Sequence, residues 1–127
     1  MTIPTETEKV ATQIVDAAYS VHSTLGPGLL ESVYEECLAF EFSERKLAFD
    51  RQLVLPIRYK EHEIDSGLRL DFVVNDCVVV EVKAVESLVP VHTAQLLTYL
   101  KLSGHRLGFL VDFNSSLIKH GVHRYIL

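Results

Sequence analysis

Residues 77–85 read Cys-Val-Val-Val-Glu-Val-Lys-Ala-Val, a nearly continuous apolar run. Such a run is typical of a strand covered on both faces, so we predict it to be the central strand of a sheet. The run also carries two charged residues, Glu81 and Lys83, whose side chains share one face of a strand because they are two positions apart. Burying an unpaired charge is costly. We therefore expect these charges to be paired, to bind a metal ion or to lie in a cleft.

The preceding predicted strand, Ile64–Val74, carries a third charge at Asp71, and Asn75-Asp76 indicates a hairpin turn between the two strands. With a two-residue loop, Asp71 faces Val80 and points away from Glu81. With a three-residue loop or a bulge, Asp71 lies directly across from Glu81, with Cβ atoms about 4.5–5.5 Å apart. That second arrangement suits two carboxylates that bind one divalent cation.

The periodicity of the rest of the chain predicts alternating helices and strands around this pair. Gly26-Pro27-Gly28 separates the first two helices, and Pro56 indicates an edge strand. Glu61-His62-Glu63 is expected to be a polar turn. The expected elements are a helix over Glu6–Leu25 capped by Thr5, a helix over Leu30–Lys46, an edge strand around 52–59, strands over Ile64–Val74 and Cys77–Val85, a helix over Pro90–Ser103, and strands over Leu107–Phe113 and Ile118–Leu127. The order α-α-β-β-β-α-β-β predicts an α/β fold with a mixed sheet.

Composition limits the class of protein. The 127 residues are 48% hydrophobic and 23% charged, which favours one globular domain over residues 1–127. Seventeen acidic residues against twelve Lys and Arg give a net charge of -5, which argues against a broad basic surface for nucleic acid but allows a small site that contacts a few phosphates. Cys37 and Cys77 show no disulfide or zinc spacing. No apolar run approaches the roughly twenty residues that span a bilayer, so we expect a cytoplasmic protein without membrane contact.

An aspartate followed on the next strand by Glu-x-Lys resembles the core of the PD-(D/E)XK phosphodiesterase superfamily. The chain is also similar to a small family called GxxExxY proteins, whose motif occurs as Gly28-Leu29-Leu30-Glu31-Ser32-Val33-Tyr34. The resemblance extends over residues 21–28, 67–72 and 80–84. Residues 95–100 resemble the Q-x-x-x-Y element of RecB-type nucleases, whereas Asp112-Phe113-Asn114 departs from the Asn-Phe-Gly expected there.

The resemblance implies a restriction-endonuclease-like fold and hydrolysis of phosphodiester bonds in nucleic acid, with DNA as the expected partner. It implies that Mg²⁺ or Mn²⁺ is the cofactor, which agrees with hard oxygen ligands and the lack of paired Cys or His. It also implies a homodimer that reaches both strands. The implied roles are Asp71, Glu81 and the Val82 carbonyl as metal ligands, Glu31 as a residue that completes or orients the metal shell, Lys83 as the residue that positions or activates water, and Gln95 and Tyr99 as residues that face the site from the third helix.

Structural interpretations of the same residues remain open at this stage. The charged trio can form an internal ion pair, Arg69 can contact phosphate or form a salt bridge, and His22 can line the cleft or cap its helix. Glu31 can simply favour the positive end of a helix dipole, and Tyr34 and Tyr99 can be core aromatics. At the level of function, the alternatives are a non-catalytic module that binds nucleic acid or protein on the same fold, and an oligomeric scaffold.

Overall fold

The computed structural model describes residues 2–127, with the backbone alone at Ser66. Within that range the elements follow the predicted order. They are α1 (Thr5–Leu25), α2 (Glu31–Glu44), β1 (Phe49–Tyr59), β2 (His62–Val74), β3 (Val78–Lys83), α3 (Pro90–Ser103), β4 (Leu107–Asp112), a 3₁₀ turn (Ile118–His120) and β5 (Val122–Ile126). No helix within the described residues is long and apolar enough to span a membrane.

The strands form one five-stranded sheet in the order β1-β2-β3-β4-β5. The β3–β4 pair is parallel and the other three pairs are antiparallel, so the sheet is mixed, as predicted. β3 is the central strand and is buried along nearly its whole length. β1, which contains Pro56, lies at an edge, where a residue without an N–H group costs no ladder hydrogen bond.

The two faces of the sheet are covered by different helices. Val78, Val80 and Val82 pack with α1 and α2 in the larger core, whereas Val79 packs with Leu96 and Leu100 of α3 in the smaller one. The alternation follows from the two-residue period of a strand. Glu81 is two positions after Val79 and therefore shares its face of the strand, so the Glu81 side chain projects toward the α3 side of the sheet.

Helix and strand boundaries differ from the sequence-based expectation in places. Pro4, rather than Thr5, precedes the first helical residue, and α2 ends at Glu44 instead of Lys46. The predicted polar turn is shorter than expected, because His62 already pairs with Tyr59 in the β1–β2 ladder. The last predicted strand is divided, because residues 118–120 form a 3₁₀ turn and pairing with β4 starts only at Val122.

Two of the predicted helix ends have a clear backbone cause. Gly26 and Gly28 adopt φ values of 67° and 102°, which other residues rarely adopt, and the chain therefore leaves α1 and turns into α2. α3 begins with Pro90 and ends before Gly104, whose left-handed conformation lets its N–H donate to the Leu100 carbonyl. These turns bring the starts of α2 and α3 to the end of the sheet where Lys83 lies.

Candidate active site

A small polar cleft of about 140 Å³ lies between the middle of β2, the end of β3, α3 and the start of α2. All six side chains that the sequence singles out for chemistry line this cleft. The lining residues are Glu31, Arg69, Asp71, Glu81, Lys83, His92, Gln95, Leu96, Tyr99 and Leu110. Val82 adjoins Asp71 in a second cavity of about 280 Å³, formed with α2.

The β2–β3 hairpin decides whether Asp71 reaches this cleft. The last pair of the hairpin is Val74 with Val78, so the loop has three residues, and the observed pairing runs back to Phe72 with Val80. Continuing that register by one position sets Asp71 opposite Glu81. The three-residue alternative is therefore the correct one, and the two-residue turn suggested by Asn75-Asp76 is wrong by one residue, because Cys77 also belongs to the loop.

Beside Val82, the Asp71 side chain replaces a backbone carbonyl of β2 as the hydrogen-bond acceptor for β3. Its Oδ2 accepts a hydrogen bond from the Val82 N–H at 2.9 Å. In an extended strand the N–H and C=O of one residue point to the same side. The Val82 carbonyl therefore also faces the β2 side of β3, near the Asp71 carboxylate.

Glu81 is the most unusual ionisable group in the cleft. Only 5% of the residue is exposed, and Oε1 has no hydrogen-bond partner within the described part of the chain. Burial, followed by a hydrogen bond and charge repulsion from Asp71, raises the pKa of Glu81 to about 10, whereas Lys83 acts in the opposite direction. Without a cation, this carboxyl group is therefore held in its protonated form at neutral pH.

The two cationic side chains of the cleft have no ion-pair partner within residues 2–127. The salt bridges of the described chain involve Lys9, Arg45, Arg51 and Arg124 as the cations, and neither Lys83 nor Arg69 is among them. The expected alternative of a structural salt bridge at Arg69 is thus not observed. Both positive groups remain available to a ligand that enters the cleft.

Glu31 projects into the cleft from the first turn of α2. Partial burial raises its pKa, Lys83 opposes that shift, and Asp71 reinforces it. The Ala84 backbone N–H lowers the pKa by hydrogen bonding. Glu31 is thus close enough to Lys83 and Asp71 to interact with both, although it belongs to a different layer of the fold.

Tyr34, the last residue of the same motif, has a structural position. It is fully buried, its ring stacks on Phe113 with a centroid distance of 4.8 Å, and its hydroxyl donates to the Gly26 carbonyl at 2.6 Å. The hydroxyl also accepts the Leu29 N–H at 3.1 Å. The motif therefore combines a glycine turn, a tyrosine that closes this turn, and Glu31, which the turn positions in the cleft.

α3 supplies the remaining predicted residues. Gln95 and Tyr99 lie one helical turn apart and both line the cleft. Burial raises the pKa of Tyr99, and the charges of Glu81 and Asp71 raise it further. His92 lines the cleft as well, and its Nδ1 accepts the Val89 N–H at the start of the helix.

His22 does not line the cleft. It is buried, and its Nε2 lies 2.7 Å from the Ser115 carbonyl, which can only accept, so the nitrogen is the donor. Its role is to connect the last turn of α1 to the segment after β4. The interpretation of His22 as a cleft residue is not supported.

Sequence reasoning missed two supports of the site. Asp112 is buried and its Oδ1 accepts the N–H groups of Val85 and Asn114, which fixes the chain just after Lys83. The Asn114 side chain in turn accepts the Gly28 N–H. A charged residue at the end of an apolar strand was the available signal for Asp112, whereas the contact with Gly28 spans 86 residues and leaves no local pattern.

The donor set of the cleft fits a hard divalent cation. No group of three or more His, Cys, Asp or Glu side chains in residues 2–127 is arranged to hold a metal ion. The three carboxylates of the predicted set, at Asp71, Glu81 and Glu31, therefore do not form such a group in the described chain, and the set also depends on the Val82 backbone carbonyl. Its fit rests on the unpartnered, buried Oε1 of Glu81 across from Asp71, since an oxygen pair of this kind matches the ligand preference of Mg²⁺ or Mn²⁺.

A sequence model of the PD-(D/E)XK nuclease superfamily matches residues 8–125. The chain belongs to this superfamily, and its mixed α+β fold is of the restriction-endonuclease-like type. No curated protein and no solved structure matches the chain. The match is to the superfamily, so the similarity to the GxxExxY proteins stays a resemblance.

Proposed function

We propose that this protein is a Mg²⁺- or Mn²⁺-dependent nuclease that hydrolyses phosphodiester bonds in nucleic acid, with DNA as the substrate. The observation that carries the proposal is the buried, unpartnered Oε1 of Glu81 across from Asp71 in a polar cleft. A buried carboxylate pair without a cation is electrostatically unfavourable, and a divalent cation removes that penalty. We assign the activity to a single domain over residues 1–127.

The cation would be held by Asp71, Glu81 and the Val82 carbonyl, with Glu31 completing or orienting the shell. When bound, it would supply Lewis-acid stabilisation of phosphoryl charge and acidify a water molecule. Lys83 contributes a positive charge that orients the attacking water and stabilises the developing negative charge. Gln95 and Tyr99 contribute hydrogen-bonding groups on the opposite wall, toward the substrate.

Arg69 contributes to the proposal through substrate binding. Its guanidinium lines the cleft and forms no ion pair within the described chain, so it is free to contact a phosphate beside the scissile bond. Because the net charge is -5, we expect affinity for nucleic acid to depend on this cleft rather than on a broad basic surface. A homodimer that reaches both strands of a duplex is part of the proposal.

The test is a calorimetric titration of Mn²⁺ and Mg²⁺ into the wild type and into the Asp71→Asn and Glu81→Gln variants. Glu44→Gln, at the other end of α2, is the matched control. We expect saturable binding in the wild type and the control, and loss of binding in both site variants with the fold retained by circular dichroism. The titration is repeated with a DNA oligonucleotide, which supplies phosphate oxygens in case the metal shell requires them.

Metal binding in the wild type that persists in either site variant would remove that residue from the ligand set. No metal binding in the wild type, with or without DNA, would contradict the nuclease proposal and favour a non-catalytic binding module on the same fold. Binding that is lost in both variants justifies a cleavage assay against single-stranded, duplex and branched DNA and against RNA.

A further inference from the structure

Gln52 has an unusual backbone for a residue within a strand. Its φ is 53°, in the left-handed region that residues other than glycine rarely adopt. Four other described non-glycine residues have positive φ, and all of them lie outside the strands, at Lys46, Lys60, Asn75 and Asp76. Gln52 alone among the described residues adopts this conformation inside a strand. Backbone strain of this kind persists where surrounding structure enforces it, and it clusters at functional sites.

The strain coincides with an interruption of the regular side-chain alternation in both β1 and β2. Phe49 packs against the α1/α2-side core and Leu53 against the α3-side core, although residues four apart share a face in a regular strand. On β2, Leu70 and Phe72 likewise belong to opposite cores. Both interruptions fall between the ladder pairs Arg51–Phe72 and Leu53–Leu70, where Gln52 and Asp71 lie opposite each other.

The Gln52 side chain uses this position to contact two carboxylates. Its Nε2 donates to Oδ1 of Asp71 at 3.1 Å and also to Oε1 of Glu35 on α2. Both partners are acceptors, so the amide nitrogen rather than the oxygen must face them. The second oxygen of Asp71 is held by the Val82 N–H, and the second oxygen of Glu35 by Arg51 at 3.1 Å.

From this geometry we infer that Gln52 is a positioning residue that fixes the Asp71 carboxylate for the metal site and ties it to α2 through Glu35. The inference rests on the proposed function. A neutral amide suits this task because it sets the orientation of Asp71 without cancelling the negative charge that a cation needs. Glu35 lies one helical turn after Glu31, so the same contact also fixes the part of α2 that carries Glu31.

The experiment measures Mn²⁺ affinity of the full chain by calorimetry for the wild type, Gln52→Gly and Gln52→Ala. Glycine removes the amide but accepts positive φ without strain, whereas alanine removes the amide and keeps the strain. Lys60→Ala is the matched control, because it places alanine at a similar φ of 56° outside the cleft. Urea unfolding of each metal-free variant measures stability separately.

We expect both Gln52 variants to bind Mn²⁺ about 10- to 100-fold more weakly than the wild type, as is typical when a group that orients a metal ligand is removed. Lys60→Ala should bind as the wild type does. If Gln52→Gly folds and keeps wild-type affinity, the inference is overturned while the proposed function stands. If the wild type itself binds no Mn²⁺, either alone or with the DNA oligonucleotide, the proposed function fails and the inference fails with it. If Gln52→Ala does not fold, the Mn²⁺ affinity of Gln52→Gly alone tests the inference.

Discussion

Two clusters of charged residues lie in different layers of this protein, and they differ in how completely their charges are paired. At the junction of α1 and α2, Arg45 donates hydrogen bonds to Gln13, Asp16, Ser20 and Glu41, with only its Nε unpartnered. In the cleft beside β3, no ion pair joins any of the charged side chains within the described residues. In the first cluster, the fold itself supplies partners for both terminal nitrogens of the guanidinium.

This difference separates charges that the fold pairs from charges that it leaves without an ion pair in the described residues. The Arg45 cluster joins two helices, and its charge is paired with the carboxylates of Asp16 and Glu41. The cleft retains Lys83, Arg69 and a buried Glu81 oxygen without such partners, an arrangement that a folded chain tolerates when binding repays its cost. Substitutions in each cluster should therefore separate effects on stability from effects on activity.

The largest expected effect is on the pH dependence of stability through Glu81. Its pKa is raised from 4.5 to about 10 on folding, so between these values the unfolded state binds fewer protons than the folded state. The free energy of unfolding of the metal-free protein should therefore fall as pH rises through this window, by up to about 1.4 kcal/mol per pH unit. Glu81→Gln should remove this component of the slope, as measured by urea unfolding in EDTA.

Glu44→Gln is the control and should keep the wild-type slope. The converse measurement uses Mn²⁺, which binds the deprotonated carboxylate and should therefore bind more tightly as pH rises. An unchanged slope in Glu81→Gln would mean that Glu81 is ionised in the free protein, and the contrast with the Arg45 cluster would lose its main support.

Lys83→Met should lower kcat by about 10²- to 10³-fold once a substrate is found. The substitution removes the positive charge that would stabilise the negative charge developing on the phosphoryl group. Metal affinity should not fall, because Lys83 is not a ligand. Lys101→Met, at the end of α3, serves as the control. A variant that loses stability instead of turnover would place Lys83 among the structural charges.

The same contrast occurs within one motif, between Tyr34 and Glu31. Tyr34→Phe leaves the Gly26 carbonyl and the Leu29 N–H without their partner, so it should reduce the free energy of unfolding by about 1–3 kcal/mol. Glu31→Gln should change stability by less than about 0.5 kcal/mol and weaken Mn²⁺ binding. Chemical denaturation and calorimetry of both variants check this. Equal stability losses would show that the motif is structural throughout.

The smallest effects are expected for the two arginines. Arg45→Met should cost about 1 kcal/mol of stability and leave metal binding unchanged, because its ion pairs are partly exposed. Arg69→Met should leave stability unchanged and weaken DNA binding, with the slope of log affinity against log salt reduced by about 1. Fluorescence anisotropy over a salt series measures the second effect. An unchanged salt slope would exclude Arg69 from phosphate binding.

Sequence reasoning predicts much of the fold because its signals are local. The apolar run of β3 identifies the central strand, and Pro90 and Gly104 give the ends of α3 as observed. Sequence reasoning is less successful where the first or last residue of a strand depends on pairing with a neighbouring strand. His62 joins β2 instead of a turn because Tyr59 is opposite it, which no local pattern reveals.

For the site, the sequence indicates the residue types and the structure indicates which of them meet. Glu81 and Lys83 share a face by strand parity alone, whereas the position of Asp71 depends on whether Cys77 belongs to the loop. A register change of one residue would turn Asp71 to the other face of the sheet. Arg69 and His22 likewise allowed two interpretations until their partners were known.

The sequence by itself determines the order of helices and strands, the central strand and the charged residues that interrupt its apolar run, because periodicity and composition act over a few residues. Only the tertiary structure decides the three-residue hairpin loop, the left-handed Gln52 and the link from Asp71 through Gln52 to Glu35. These features arise from contacts between segments distant along the chain, where packing of the two cores selects one register and enforces a backbone conformation that local preference disfavours.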